Sequence, residues 1–336
     1  MMNRRSFLKL FAIGGTAAAA GVAIAHKDTF ESLLHDGQYR VSQSQNAIGT
    51  HVDITAFGPS QMHTEDAVHA AFNDIREMEN LLTRFGNASP VCELNEEGHL
   101  DHIPAEILSL CQTCDFYYRD TNGAFDITVK PIIDLFARSA AAGRQPSESE
   151  IAQILPHVGA SQLSLHDNRL TMPKGTGITF DGAAPGFIAD RAAQILHAHG
   201  IDNFLVNAGG EIRTSGHPQG ADAWRIAIQD PAKKGNFPGY LAMNNAAVST
   251  SGNYEIFFGN DKTYHHIIDA RTGHSPRRAS VTVTAPTALE ADILSTALFV
   301  MSPQEALQYT ASHPQFACLI IDEDGKQTVS PNFKMA

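Results

Sequence analysis

Asp292 and Thr296 stand one helical turn apart in the stretch "TALEADILSTAL" (residues 287–298), where most other side chains are small or apolar. Positions three and four apart on a helix share a face, so Asp292, Ser295 and Thr296 would turn their oxygens to one side. Hard divalent cations such as Mg²⁺ take oxygen ligands, often one or two carboxylates with phosphate and water completing the shell. The trio would supply part of that shell and leave room for a phosphate-bearing ligand. The same spacing also suits ordinary capping or a solvated face, so other stretches must add to it.

Three others do. In "TFDGAAPGFIADRAAQIL" (residues 179–196), Gly182 and Gly186 bracket a loop that runs into a helix. The N–H groups and dipole at that helix start can hold an anion, although a tight strand-to-helix joint needs glycine too. In "NAGGEIRTSG" (207–216), Gly209-Gly210 permit close backbone approach to a ligand, or simply a bulge. In "TYHHIIDARTG" (263–273), two adjacent histidines open a strand, so only one can face a cleft. A histidine with its ordinary pKa of about 6.5 accepts a proton at neutral pH and suits a general base. In a chain with 16 histidines, a plain strand-edge histidine explains the pair equally well. Asp269 can pair with Arg271 or accept from the N–H groups of the turn that follows.

The elements that must position these residues are legible from periodicity. Apolar positions at helical spacing predict helices over 63–84 and 104–119, the second with Pro104 in its first turn. Ser147 caps a helix starting near Glu148, and further helices are expected over 186–199 and 303–311. "TNGAFDITVKPIIDLF" reads as a turn followed by a short apolar segment. Alternation at Val52, Ile54 and Ala56 predicts a strand, and two more flank a turn at Asn168. "FLVNAGGEI", "WRIAIQDP", "LAMNNAAVSTSG", "SVTVTAPT" and "ACLIIDED" add further strands. Strands and helices mix without strict alternation or repeat, which predicts an α+β chain with a largely antiparallel sheet. Neither G-x-G-x-x-G after a first strand nor G-x-x-x-x-G-K-[ST] occurs, which disfavours both common nucleotide-binding architectures.

Composition bounds the setting. Arg4-Arg5, then Ser6-Phe7-Leu8-Lys9 and a weakly apolar run ending Ala23-Ile24-Ala25, reads as a twin-arginine export signal over 1–25. That run is short for a permanent span, and no cysteine follows it to carry a lipid. The expected location is the bacterial periplasm, with a polar linker over 26–45 and one large domain over 46–336. A formal net charge of −12 argues against nucleic acid and against an anionic membrane surface, but leaves a small anionic ligand open. Cys111 and Cys114 form a lone C-x-x-C, which lacks the second pair of a zinc site. It reads as a buried helical pair, with a disulfide open to it in an oxidising compartment.

Taken in order, these stretches resemble the ApbE family, the FAD:protein FMN transferases. The resemblance runs through "IGTHVDITAFG", "MENLLTRFGNASPVCELN", "TNGAFDITVKPIIDLF", "FDGAAPGFIADRA", "FLVNAGGEI", "AVSTSGNYE", "HIIDARTG" and "SVTVTAPTALEADILSTALFVM". It implies a mixed, largely antiparallel sheet flanked by helices, with a flavin site in a cleft between two intimately joined lobes. It implies an enzyme that binds FAD with Mg²⁺ or Mn²⁺, cleaves the pyrophosphate, esterifies FMN to a Ser or Thr of a target protein and releases AMP. The implied acceptor is a periplasm-facing subunit of a membrane redox complex.

Position by position, the resemblance makes Asp292, Ser295, Thr296 and the Gly182 carbonyl metal ligands and His266 the base. It places Ile48, Phe85, Ala124, Phe125, Asp126, Asp181, Pro185, Gly209, Gly210, Ser251 and Ile267 against FAD. Where the family has D-x-G-G-x-A-K-G-Y, this chain has Thr179 at the acidic position, Asp181 two residues later, and Pro185 in place of the lysine. That variant resembles the NosX branch associated with nitrous oxide reductase, which implies a NosR-type partner. The D-P-R-T-G turn is here Asp269-Ala270-Arg271-Thr272-Gly273. Two rival readings are an FAD hydrolase yielding FMN and AMP, and a non-enzymatic flavin carrier.

Overall fold

Alternating apolar residues build the sheet. In a computed structural model, which describes residues 29–35, 37–85, 88–233, 237–258 and 264–336 (side chains from 37 onward), nine strands form its main sheet. They are β1 (Thr29–His35), β2 (Gln38–Ala47), β3 (Thr50–Gly58), β4 (Asn203–Ala208), β5 (Glu211–Ser215), β6 (Ala247–Gly252), β7 (Ser280–Ala285), β8 (Ala317–Ile321) and β9 (Gln327–Val329). Each pairs antiparallel with the next in chain order, so the sheet is a meander with long insertions between strands. The export signal lies outside the described residues. The linker reading of 26–45 is corrected within the described residues: 29–35 and 38–45 are paired strand, hydrogen-bonded to each other and, through 38–47, to β3.

The period of two decides which core each side chain joins. Val52, Ile54 and Ala56 of β3, Phe204 and Val206 of β4, Val281 and Val283 of β7, and Cys318 and Ile320 of β8 face one way, into the main core. Phe57, Val248, Leu319 and Ile321 face the other way, against a ribbon (Trp224–Ala227 with Tyr240–Met243) that brings Trp224, Ile226 and Leu241.

The helices are α1 (Gln61–Leu82), α2 (Pro90–Glu97), α3 (Ala105–Asp120), α4 (Lys130–Ala141), α5 (Glu148–Ile154), α6 (Ala184–Ala198), α7 (Ala288–Val300) and α8 (Pro303–Ser312). α1, α6 and α7 cover the main-core face of the sheet. The segment "KPIIDLF", read as a short apolar run, is the start of α4; short apolar runs do not by themselves distinguish strand from helix. Its Ile132, Ile133 and Phe136 join Ile151, Phe258 and Ile268 in a separate cluster, the second lobe. All four cysteines are free thiols, with Cys111 and Cys114 one turn apart on α3.

α7 is apolar almost all round and therefore buried. Burial of Ile293, Leu294, Leu298 and Phe299 contributes roughly 1.5–3 kcal/mol each. That is enough to hold a carboxylate inside, where an unpaired ion costs several kcal/mol. Both helix ends are tied. Thr287 and Glu290 form a capping box, and the Asp190 carboxylate accepts the N–H groups of Ala288 and Leu289 at 2.9 Å each. At the other end, Arg278 Nη1 donates to the carbonyls of Leu298, Phe299 and Met301 at 2.8, 2.7 and 2.6 Å.

Candidate active site

The crossing of α6 and α7 sets the centre of the site. The Gly186 N–H donates to Asp292 Oδ2 at 2.9 Å, and Asp292 is only 5% exposed. A Cβ at Gly186 would stand 2.4 Å from the Ala288 carbonyl oxygen and 2.8 Å from Asp292 Cβ. The helix start expected to hold a ligand anion thus holds a protein carboxylate. Pro185, in the first turn of α6, has no N–H to give. Because backbone blocks the added methyl, Gly186→Ala should destabilise the fold by about 3 kcal/mol, visible as a lowered thermal midpoint; a midpoint equal to wild type would refute this close-approach account.

Hydroxyl groups register α7 on the sheet. Ser249 and Ser251 lie two apart on β6 and share a face. Ser251 Oγ is 2.8 Å from Ser295 Oγ and 3.3 Å from Thr296 Oγ1, and Ser249 Oγ is 3.2 Å from Ser295 Oγ. Ser295 Oγ in turn donates to the Asp292 carbonyl at 2.9 Å. Ser295 is fully buried among these partners, so it lies one layer behind Thr296 as a pin rather than at the front. Thr296 meets the loop: a Cβ at Gly182 would lie 3.0 Å from Thr296 Oγ1 and 3.5 Å from the Phe125 ring.

Glu211, the first residue of β5, belongs to this cluster and was not singled out from the sequence, although it follows the Gly209-Gly210 pair directly. Ser249 Oγ donates to its Oε1 at 3.3 Å. Burial pushes the Glu211 carboxyl up to about 7. Burial, then the Glu211 charge, holds the Asp292 carboxyl well above the usual range. The nearby guanidiniums are spent elsewhere: Arg213 lies 3.5 Å from Asp190, and Arg84 is on Asp181. Two carboxylates with the hydroxyls of Thr296 and Ser251 and the Gly182 backbone form a hard-oxygen donor set, which suits Mg²⁺ or Mn²⁺. Among the described residues, no group of three His, Cys, Asp or Glu converges.

The two histidines part as the strand pleat demands. His265 Nε2 lies 2.9 Å from the Pro276 carbonyl, and its ring stands edge-on to Phe299 at 5.4 Å, inside the core. His266 is on the Asp181 side, its Nδ1 enclosed with no hydrogen-bond partner. Burial, then the neighbouring His265, lowers its pKa to about 4, with Asp181 acting in the opposite direction. The imidazole is therefore neutral, and ready to accept a proton, across the neutral range. Among the described residues the expected strand covers Tyr264–His265, and beyond it Asp269 accepts the Arg271 N–H at 2.9 Å and pairs with that guanidinium.

Asp181 is held by Arg84, just past the end of α1. Arg84 Nε lies 2.9 and 3.2 Å from its two oxygens and Nη2 at 2.8 Å, with the guanidinium 4.3 Å above the Phe85 ring. Burial pushes the Asp181 carboxyl up, but Arg84 outweighs it and holds the group below its ordinary value.

The remaining expected flavin positions divide. Ala124, Phe125 and Ile267 are buried in the main core. The Asp126 carboxylate is already engaged, accepting from Thr128 N at 2.7 Å, Thr128 Oγ1 at 2.6 Å and Ala160 N at 3.3 Å, so it shapes a loop instead of opening to a ligand. Ile48 occupies the β2–β3 turn with φ +51°. Gly209 and Gly210 are no bulge but the hairpin turn between β4 and β5, both with positive φ, and Gly209 is pressed against Thr50. These two turns lie at one end of the sheet, beside Glu211.

This meander with helices on one face is shared with solved structures. An ApbE protein of Thermotoga maritima superposes with a TM-score of 0.80 at 29% identity, covering 91% of this chain and 98% of its own. The flavin transferase ApbE of Vibrio cholerae superposes at 0.76 with 24% identity, covering 88% and 98%, which speaks to fold alone. The chain belongs to the ApbE family, whose profile matches residues 48–320. Curated relatives include the FAD:protein FMN transferases of Haemophilus influenzae, 28% identical over 84% of this chain and 87% of theirs, and of Escherichia coli K12, 30% identical over 76% and 77%.

Proposed function

We propose that this chain is an FAD:protein FMN transferase that works with Mg²⁺, esterifies FMN to a Ser or Thr of a protein acceptor and releases AMP. Its family makes it a transferase, and its curated relatives carry that activity. The single observation that supports the chemistry is proximity: the Gly182 loop meets Thr296, the Gly186 N–H meets Asp292, and Asp181 and His266 lie close enough for their charges to interact. Asp292, Thr296 and the Gly182 backbone would hold the cation, with Ser251 and Glu211 beside them. When bound, the cation offsets pyrophosphate charge.

The chain's own residues supply the rest. His266 takes the proton of the acceptor hydroxyl as its oxygen bonds to the FMN phosphorus. The bond from that phosphorus to the bridging oxygen breaks, and AMP leaves with the electron pair. The enclosed position of the imidazole limits water as a competing acceptor. The acceptor we favour is a periplasm-facing subunit of a membrane redox complex, of the NosR type if the NosX-like loop is a guide. The Arg4-Arg5 signal supports periplasmic export.

Incubating the protein with FAD, Mg²⁺ and a candidate acceptor should add the mass of one esterified FMN to the acceptor and release equimolar AMP. An acceptor that stays unlabelled while FAD is bound counts against the proposal. FMN and AMP formed without an acceptor would make the protein a hydrolase, and tight FAD binding with no turnover a carrier.

A further inference from the structure

We propose that Arg84 is the positioning residue for FAD, clamping the loop that carries Asp181 and Gly182 to the aromatic corner at Phe85. The proposal rests on the FMN-transferase reading of the site. Arg84 follows the end of α1, where the corner is firmly built: Thr83 Oγ1 accepts the Phe85 N–H at 3.1 Å, and Ser89 Oγ donates to the Thr83 carbonyl. From there the guanidinium reaches a carboxylate 97 positions away in sequence. Residues 175–190 contain no Lys or Arg, so the loop has no cation of its own.

Two contacts do the clamping. The planar guanidinium lays its Nε–H across both carboxylate oxygens with Nη2 close beside one of them, which fixes orientation as well as distance, and a lysine cannot match that. The same plate lies over Phe85 and restrains that ring by a cation–π contact. Two elements expected against the flavin are thereby set before it arrives, which removes an ordering cost from binding. Arg84 also offsets the Asp181 charge beside the place a pyrophosphate would occupy. The Arg84 side chain is 6% exposed, but that of Asp181 is 45% exposed. When Arg84 is replaced, the carboxylate left behind keeps its contact with water, which limits the cost to folding. Loss of the pair should therefore register in ligand binding more than in folding.

The test uses the purified chain and its Arg84→Met, Arg84→Lys, Asp181→Asn and Arg84→Met/Asp181→Asn variants. FAD affinity is read from flavin fluorescence with Mg²⁺ present, the flavin environment from visible circular dichroism, Mn²⁺ affinity without FAD from electron paramagnetic resonance, and folding from the thermal midpoint. Arg84→Met should weaken FAD binding at least about tenfold and alter the flavin dichroism, with Mn²⁺ affinity kept within about twofold. Arg84→Lys, which keeps the charge and loses the planar contact, should recover part of the loss. The double variant should bind FAD at least as well as Arg84→Met, because the unpaired Asp181 charge is gone.

Unchanged FAD affinity and dichroism in Arg84→Met, beside a wild type that binds FAD, overturns this proposal alone. So does a loss of FAD affinity matched by equal losses in Mn²⁺ affinity and thermal midpoint. If Arg84→Met does not fold, Asp181→Asn decides, and unchanged FAD affinity there overturns the clamp. A wild type that binds no FAD overturns the functional reading and this proposal with it.

Discussion

Asp292→Asn is expected to cut FMN transfer by roughly a thousandfold or more while leaving the protein folded. Asn is nearly isosteric and still offers an oxygen to the Gly186 N–H, now 2.9 Å from Asp292 Oδ2, so the α6–α7 crossing keeps its contact. It removes the charge that faces Thr296 and the Gly182 loop, and a hard cation loses its best donor. It also lifts the opposition between Asp292 and Glu211, so the metal-free thermal midpoint should not fall. In the wild type, Mg²⁺ at a hundred times its dissociation constant should stabilise by about 2.7 kcal/mol. In Asp292→Asn that shift should vanish. Paired measurement of turnover and of the Mg²⁺-dependent midpoint separates loss of metal from loss of fold. Retained turnover with a retained Mg²⁺ shift would remove Asp292 from the site.

The second large effect concerns His266. His266→Asn should lower transfer to a protein hydroxyl by about 10²–10⁴ and leave FAD affinity much less affected. Because burial and His265 depress its pKa to about 4, the wild-type imidazole is unprotonated above that value. Its ability to accept a proton is lost as pH falls through about 4, so the acid limb of the rate profile should lie well below the 6.5 of a free histidine. The linked stability has the same sign. A histidine with a folded pKa below its unfolded one contributes stability above pH 6.5, lost as pH falls from there through about 4. An acid limb near 6.5 that His266→Asn leaves in place would assign it to another group.

How much of this was visible in the residues depends on the range of the interaction. Capping at Ser147, the turn at Asn168 and the alternation of β3 are read within a few positions, and each element formed where its signal stood. α4 escaped because "KPIIDLF" is too short for its period to show, and its packing partners Phe258 and Ile268 lie far along the chain. The polar stretch before residue 46 escaped because strands held by backbone pairing, with few apolar residues, resemble a linker in composition.

The sequence alone determined which oxygens share the face of α7, because 3.6 residues per turn places Asp292, Ser295 and Thr296 together wherever that helix lies. Only the tertiary structure decided which of them faces the cleft, since the register of β6 spends Ser295 on Ser249 and Ser251. It alone set Glu211 near Asp292, laid Arg84 on Asp181, and put His265 against Phe299 and His266 on the Asp181 side. Those partners are separated by tens of residues and meet through strand pairing and helix crossing, for which local periodicity carries no term.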